Sequence, residues 1–274
     1  MHKTLDAEDL ELLRKEFSSN PAYRLAQNAI TKVGLDDVAV NREIVNSTDH
    51  GLSVSLDDWK VTNQERSGRC WLFAGLNLFR VGAMKKMGLK QFEFSQNFVM
   101  YWDKLERANY FLEAIIETAE RDVDDRTVAF LLDSAASDGG QWNMFVALVN
   151  KHGLVPKAFM PETQSSSNTA RMNSMLRYLL RQGAKTLRQA AARSSEEARA
   201  EKAEILAVIH RVLCMHLGTP PEQFDWQWID SDKAFHRDGA ITPRDFASRY
   251  VELPIDEYVC LVHDPRPTSP MGRT

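Results

Sequence analysis

The sequence predicts an α+β protein that is helical over most of its 274 residues. Three observations predict it. Apolar residues recur at spacings of three and four along most of the chain, and helix start and stop residues bound those runs. Strand-like patterns are short, an alternating stretch from Ser53 to Trp59 and an apolar run from Glu257 to Val262.

The elements follow in order. Leu10, Leu13 and Phe17 mark a first helix before the breaker run Ser18 to Pro21, and a second short helix is expected to end at Gly34 as a left-handed cap. Both read as packing elements. After the polar run Thr62 to Gly68, the segment Cys70 to Met84 is apolar nearly all round and predicts a buried central helix. Ser95 is placed to cap the next helix, whose stripe runs through Phe98, Tyr101, Trp102, Leu105, Leu112, Ile115 and Ile116. A charged turn at Arg121 to Arg126, a short helix, the glycines of Ser137 to Gly140 and an amphipathic run ending near Gly153 come next. Pro156 to Asn168 reads as an exposed loop or a subdomain boundary. Beyond it lie a helix through Met172, Met175, Leu176 and Leu179 and another from Ser194, with Glu197 three residues on as a capping box, to Gly218.

Composition excludes several function classes. With 34 Lys+Arg against 38 Asp+Glu, both signs mixed, there is no basic field to hold a phosphate backbone, so nucleic acid is not expected as a partner. No apolar run approaches the roughly 18 residues that span a bilayer, and Met1 to Asp9 lacks the apolar core of a secretory signal. A cytoplasmic protein without membrane contact is expected. Cys70, Cys214 and Cys260 are far apart and lack metal-ligand pairing, which predicts reduced thiols and neither metal nor cofactor. His210, Cys214 and His216 read as a buried cysteine flanked by surface histidines, and Asp122, Asp124 and Asp125 as a solvated turn.

Cys70 opens a helix, where free backbone N–H groups and the helix dipole favour negative charge, and a thiolate is the form of sulfur that attacks carbonyl carbon. Taken alone, a cysteine beside Trp71 and Leu72 reads first as inert core. Gln64 stands six residues earlier, and Ser67 and Gly68 permit a tight turn that would bring its amide beside the Cys70 N–H as a second oxyanion donor; by itself it reads as a solvated loop residue. Gly139 and Gly140 by themselves are a turn between helices.

The segment Gln64-Glu65-Arg66-Ser67-Gly68-Arg69-Cys70-Trp71-Leu72-Phe73-Ala74 resembles the nucleophile segment of papain-like cysteine peptidases. With Ser95-Gln96, Asp138 to Trp142, Gly153 to Lys157, Met160-Pro161-Glu162 followed by Ser166 and Asn168, and Gly218 to Pro221, the chain is similar throughout to the bleomycin hydrolase and aminopeptidase C family. The resemblance implies a papain-like fold divided as 1–60 (helical segment and extended lead-in), 61–155 (helical domain carrying the nucleophile), 156–250 (helical insert) and 251–274 (start of a β domain). It implies Cys70 as nucleophile, Gln64 as oxyanion donor, and Gly139, Gly140 and Trp71 as substrate-binding positions. The expected activity is removal of N-terminal residues from peptide substrates through a thioester at Cys70, and the expected assembly is a homo-oligomer, a hexamer in the family. Ser67 takes the place of a disulfide cysteine found in secreted relatives.

A papain-like site also needs a histidine and an Asn or Asp to orient it. A spacing of about 130–150 residues after the nucleophile points at His210 and His216, but both fall inside a predicted helix, whereas the resemblance implies a histidine on a strand of the β domain. His263 falls in a turn. The catalytic pair is therefore expected beyond residue 274, with little peptide hydrolysis by this chain alone. The alternative expectation is a non-catalytic member that binds peptides or serves assembly.

Overall fold

The computed structural model describes residues 4–49, 51, 60–251 and 257–258, in two units, Met1–Asp57 and Asp58–Thr274. The first unit carries four helices, α1 (Ala7–Ser19), α2 (Pro21–Ile30), α3 (Leu35–Ala39) and α4 (Arg42–Ser47). Asp6 and Asp9 form a reciprocal capping box on α1, and Asn20 caps α2 with Pro21 at its first position. Within this unit none of the helices buries a residue, and α1 meets α2 through the rings of Phe17 and Tyr23, 5.9 Å apart. Gly34 is not a left-handed cap. Its φ is −58° and it opens α3, because the acidic pair Asp36 and Asp37 suits a helix start. The stretch predicted as extended, Ser53 to Trp59, lies outside the described residues.

In the second unit, α5 (Cys70–Met87) begins after the polar loop and ends on Gly88, whose φ of 63° is left-handed, with Lys85 and Lys86 in the last turn. It buries Leu72, Phe73, Leu76, Phe79 and Ala83, as its apolar sequence requires. It is not enclosed all round. Cys70, Ala74 and Leu78, four residues apart, form an exposed stripe. Ser95 caps α6 (Gln96–Glu117) by accepting from the Phe98 N–H, and Phe98, Tyr101, Leu112 and Ile115 of the predicted stripe are buried. Asp125 of the charged turn caps α7 (Arg126–Asp133), and α8 (Trp142–His152) starts two residues after Gly140.

At the end of α8, Gly153 has φ 74°, and a Cβ there would lie 2.2 Å from the Pro243 backbone. Glycine is thus required for the chain to turn against the start of α12 (Pro243–Tyr250), where Leu154 N–H donates to Pro243 O at 2.9 Å. The segment expected as an exposed loop, 156–168, is instead folded in. It holds a 3-10 turn at Lys157–Phe159 and the short helix α9 (Gln164–Ser167), and it buries Met160 and Ser166.

The long helices α10 (Ala170–Ala191) and α11 (Ser195–Leu217) pack against each other and on α6. Ser194 caps α11 by accepting from the Glu197 N–H, and Gly218, φ 88°, closes it. What the sequence reading placed inside a helical module then becomes a hairpin, β1 (Phe224–Ile229) antiparallel to β2 (Phe235–Ile241), pairing Phe224 with Ile241 and Ile229 with Phe235. Its inward residues Phe224 and Trp226 join Phe92, Phe94, Phe159 and Phe246 in an aromatic cluster. The expected terminal strand, from Glu257 to Val262, lies outside the described residues beyond Tyr258.

Helix α5 crosses α8 closely at Gly75. A Cβ at Gly75 would come within 2.5 Å of the Phe145 ring, itself 1% exposed. On an isolated helix Gly→Ala adds about 1 kcal/mol; here overpacking reverses the sign. Gly75→Ala is expected to destabilise by about 1–3 kcal/mol, read as a lower denaturation midpoint with unchanged slope.

Candidate active site

The loop before α5 is built by a buried arginine. The Arg69 side chain is 2% exposed, and its guanidinium donates to both oxygens of Glu162 at 2.9 Å each and to Ser67 Oγ at 2.8 Å. Ser67 Oγ in turn donates to the Gln64 carbonyl at 2.6 Å. The position that the sequence reading compared with a disulfide cysteine is therefore a hydrogen-bond bridge. Arg66 N–H donates to Ser167 O at 2.9 Å and Thr169 N–H to Arg66 O at 3.3 Å, so the loop pairs with the 162–169 segment as a parallel strand would. Glu65 is held at φ 53°, a left-handed conformation for a residue with a Cβ, with its N–H donating to Asn63 Oδ1 at 2.8 Å.

A second anchor is Asp138. Its carboxylate accepts from Lys104 Nζ, from Thr169 Oγ1 at 2.6 Å, from Asn173 Nδ2 at 2.7 Å and from Gly68 N–H at 3.2 Å. A Cβ at Gly68 would stand 2.6 Å from the Asp138 Cβ, so the approach needs glycine. Burial by itself would raise the Asp138 carboxyl; the Lys104 ammonium and the bonds from Lys104, Thr169 and Asn173 outweigh it and hold the group well below the usual carboxylate range. The backbone carbonyl of Asp138 accepts from Trp71 Nε1 at 2.8 Å. On the neighbouring turn of α6, burial pushes the Asp103 carboxyl up to about 6, against the pull of Arg107 and Lys104.

Cys70 thus stands exposed at the start of α5, and the loop residue Gln64 is half-buried. Trp71, half-buried, lies directly against Gly140: a Cβ on Gly140 would come within 2.6 Å of its ring. Gly139 is exposed, and a Cβ on it would meet nothing within 4 Å. Cys70, Trp71, Gly139 and Gly140 are therefore brought into one neighbourhood by the indole and by Asp138. A cavity of about 580 Å³ lies beside Tyr101, His152 and Arg244, and another of about 610 Å³ is lined by Asp103, Arg107, Tyr110 and Met144.

The described histidines are engaged away from Cys70. His152 stacks on Trp102 and pairs with Glu106 at 2.8 Å, His216 bonds Ser165 Oγ at 2.7 Å, and His236 bonds Asp230 at 2.7 Å. His210 is exposed beside Tyr101 and Cys214; that cysteine is half-buried, not fully buried as expected, with its sulfur 3.4 Å from Tyr101 Oη. Among the described residues no group of three or more His, Cys, Asp or Glu could hold a metal, and no helix is long and apolar enough to cross a membrane. His263 lies outside the described residues.

A family model, the Peptidase C1-like family, matches residues 4–274. The chain belongs to the Peptidase C1-like family. It is 42% identical over 273 residues to aminopeptidase C of Listeria monocytogenes, covering 100% of this chain and 62% of that protein. With human bleomycin hydrolase it shares 39% identity over 271 residues, covering 96% of this chain and 60% of the relative. The crystal structure of pepw from Lactobacillus rhamnosis HN001 superposes with a TM-score of 0.92 at 39% identity, covering 98% of this chain and 61% of that one. The chain therefore spans about three fifths of the length of these relatives. The α+β, papain-like fold expected from the sequence is the fold found, and the chain is related to cysteine aminopeptidases.

Within this Peptidase C1-like chain, sequence reasoning quoted Asp138 and Glu162 inside motifs without assigning them work, and it missed Lys104, Asp103 and Arg107. The available signal was the pattern on α6, where three charged residues fall beside the apolar stripe of a helix that the same pattern buries.

Two predictions follow from this geometry. Gly140→Ala is expected to destabilise the fold, by about 1–3 kcal/mol through overpacking on Trp71, whereas Gly139→Ala leaves the unfolding midpoint unchanged. The second concerns pH. A carboxyl lowered in the folded state adds stability above its unfolded value, near 4, and loses it as pH falls toward the folded value. The stability advantage of wild type over Asp138→Asn in urea titrations should therefore be largest at neutral pH and shrink below about pH 4.

Proposed function

We propose that this chain carries the nucleophile half of a cysteine aminopeptidase, with Cys70 attacking the amide carbon that follows a peptide's N-terminal residue. What supports the reading is the exposed cysteine at the first turn of a helix whose preceding loop and neighbouring glycine ridge are both held by buried ionic anchors. The Cys70 N–H lies in the first turn of the helix, where backbone N–H groups lack an intrahelical acceptor, and is free to donate to an oxyanion. Gln64 supplies the second donor.

In the reaction the thiol proton passes to a base and the sulfur adds to the carbonyl. The tetrahedral oxyanion collapses with departure of the shortened peptide as an amine, which takes the proton, and a thioester remains at Cys70. Water then adds, releasing the amino acid and restoring the thiol. Gly139 and Gly140 offer backbone to an extended peptide, with Trp71 beneath the second glycine. An imidazole to carry the proton is not supplied by the four histidines described above, so amide turnover by this chain is expected to stay near background. That same observation favours a second reading, a peptide-binding or assembly module without turnover. Homo-oligomer formation, hexameric in the family, is part of the first reading.

A leaving group that needs no proton separates the two. Iodoacetamide at neutral pH should carbamidomethylate Cys70 ahead of Cys214. An aminoacyl p-nitrophenyl ester should deposit one acyl group on Cys70, seen by mass and absent in Cys70→Ala. Gln64→Ala should slow that burst by about 10²-fold, the usual effect of one lost oxyanion donor. An intact chain whose Cys70 takes neither reagent overturns the peptidase reading.

A further inference from the structure

The Asp103–Arg107 pair on α6 does something that a surface ion pair would not. Arg107 lies one helical turn from Asp103 and donates from Nε to Asp103 Oδ1 at 2.8 Å, while the Asp103 side chain is 4% and the Arg107 side chain 20% exposed. The rest of the guanidinium is directed to the loop before α8: Nη1 donates to Ser137 Oγ at 3.1 Å and Nη2 to the Gly139 carbonyl. The same guanidinium carbon stands 5.8 Å from the centre of the Trp71 ring. One arginine therefore touches the residue after the nucleophile and the carbonyl of the first glycine, and its own orientation is fixed by a buried carboxylate.

We infer that Arg107, oriented by Asp103, is a positioning residue that sets the backbone of the glycine ridge for pairing with an extended peptide. Rotation about the Gly139–Gly140 peptide is otherwise weakly restrained, because Gly139 has no side chain and is exposed. Engaging the Gly139 carbonyl with Arg107 turns that acceptor away from substrate and fixes the peptide plane. The backbone groups of Gly140 are then the ones available to a bound chain. A fork of donors is needed for three acceptors in one plane, so lysine, with a point charge, cannot substitute.

The inference rests on the peptidase reading, and the experiment keeps the two apart. The 274-residue chain, as wild type, Arg107→Lys and Arg107→Gln, is treated with iodoacetamide, which senses the sulfur alone, and with a dipeptidyl epoxide, which must first pair with the ridge. The epoxide is analysed for its recognition constant KI and its inactivation rate constant kinact. The expected result is a KI weakened about tenfold in both variants, the scale of one charge-assisted hydrogen bond, with kinact and the iodoacetamide rate within about twofold of wild type. An unchanged KI overturns the inference and leaves the peptidase reading standing. A parallel loss of KI, kinact and iodoacetamide rate in both variants also overturns it, since that marks general damage to the fold. Failure of wild-type Cys70 to react with iodoacetamide removes the peptidase reading, and this inference with it.

Discussion

Taking the Asp138 carboxylate out of water costs several kcal/mol, and the way that cost is offset organises the whole neighbourhood of Cys70. The compensating groups come from different places: Lys104 from α6, Thr169 and Asn173 from the start of α10, Gly68 from the loop before α5. A bond that neutralises the charge also fixes a distance between two of these elements. Lys104, 2% exposed, depends on Asp138 in return, because burial lowers its ammonium and the carboxylate opposes that shift. Neither charge is tolerable without the other, so the loop, the long helix and the glycine ridge are ordered together.

The Arg69–Glu162 pair acts on the other side of the same loop. Buried ion pairs often add little net stability against an apolar replacement, but removing one partner strands the other. What the pair contributes here is geometry. A bidentate fork fixes both position and plane, and Ser67 extends it to the Gln64 carbonyl. Holding Glu65 at a positive φ costs roughly 1–2 kcal/mol, which the bridge to segment 162–169 sustains.

Much of the fold was legible in the sequence because helices advertise themselves locally. The apolar run of α5, the stripes of α6 and α10, and the caps Ser95, Ser194 and Gly218 needed no knowledge of distant residues. The failures share a cause. Segment 156–168 reads as loop because it is rich in Ser, Thr, Asn and Pro, yet Ser166 is buried and the segment is held by partners far along the chain, such as Asn97 donating to Pro161 O at 2.8 Å. The hairpin at 224–241 was hidden because Asp230, Asp232 and Gly239 interrupt any alternation, and its inward face is aromatic and short. Helix α1 shows the converse: Leu10, Leu13 and Phe17 fall at helical spacing, yet α1 buries none of them within its unit. For the site, the sequence pointed to Cys70, Gln64, Trp71 and the two glycines through motif resemblance. It was silent on the ion pairs beneath them, since Asp138 lies 70 residues from Gly68 and 34 from Lys104 and charge alone does not announce burial.

The two adjacent glycines look alike in the sequence and answer to different constraints. Gly140 is fixed from inside, by an indole ring that leaves no room for a methyl group. Gly139 meets no steric demand from its own chain and has no positive φ to require it. Its lack of a side chain makes physical sense if something else approaches that face, and an extended peptide backbone is the occupant that the peptidase reading supplies. Trp71 then carries the geometry from one side to the other. It follows the nucleophile in the chain, lies under Gly140, and is pinned through Nε1 to the carbonyl just before Gly139. The spacing between sulfur and ridge is therefore set by one rigid ring and its hydrogen bond, with no flexible loop in between.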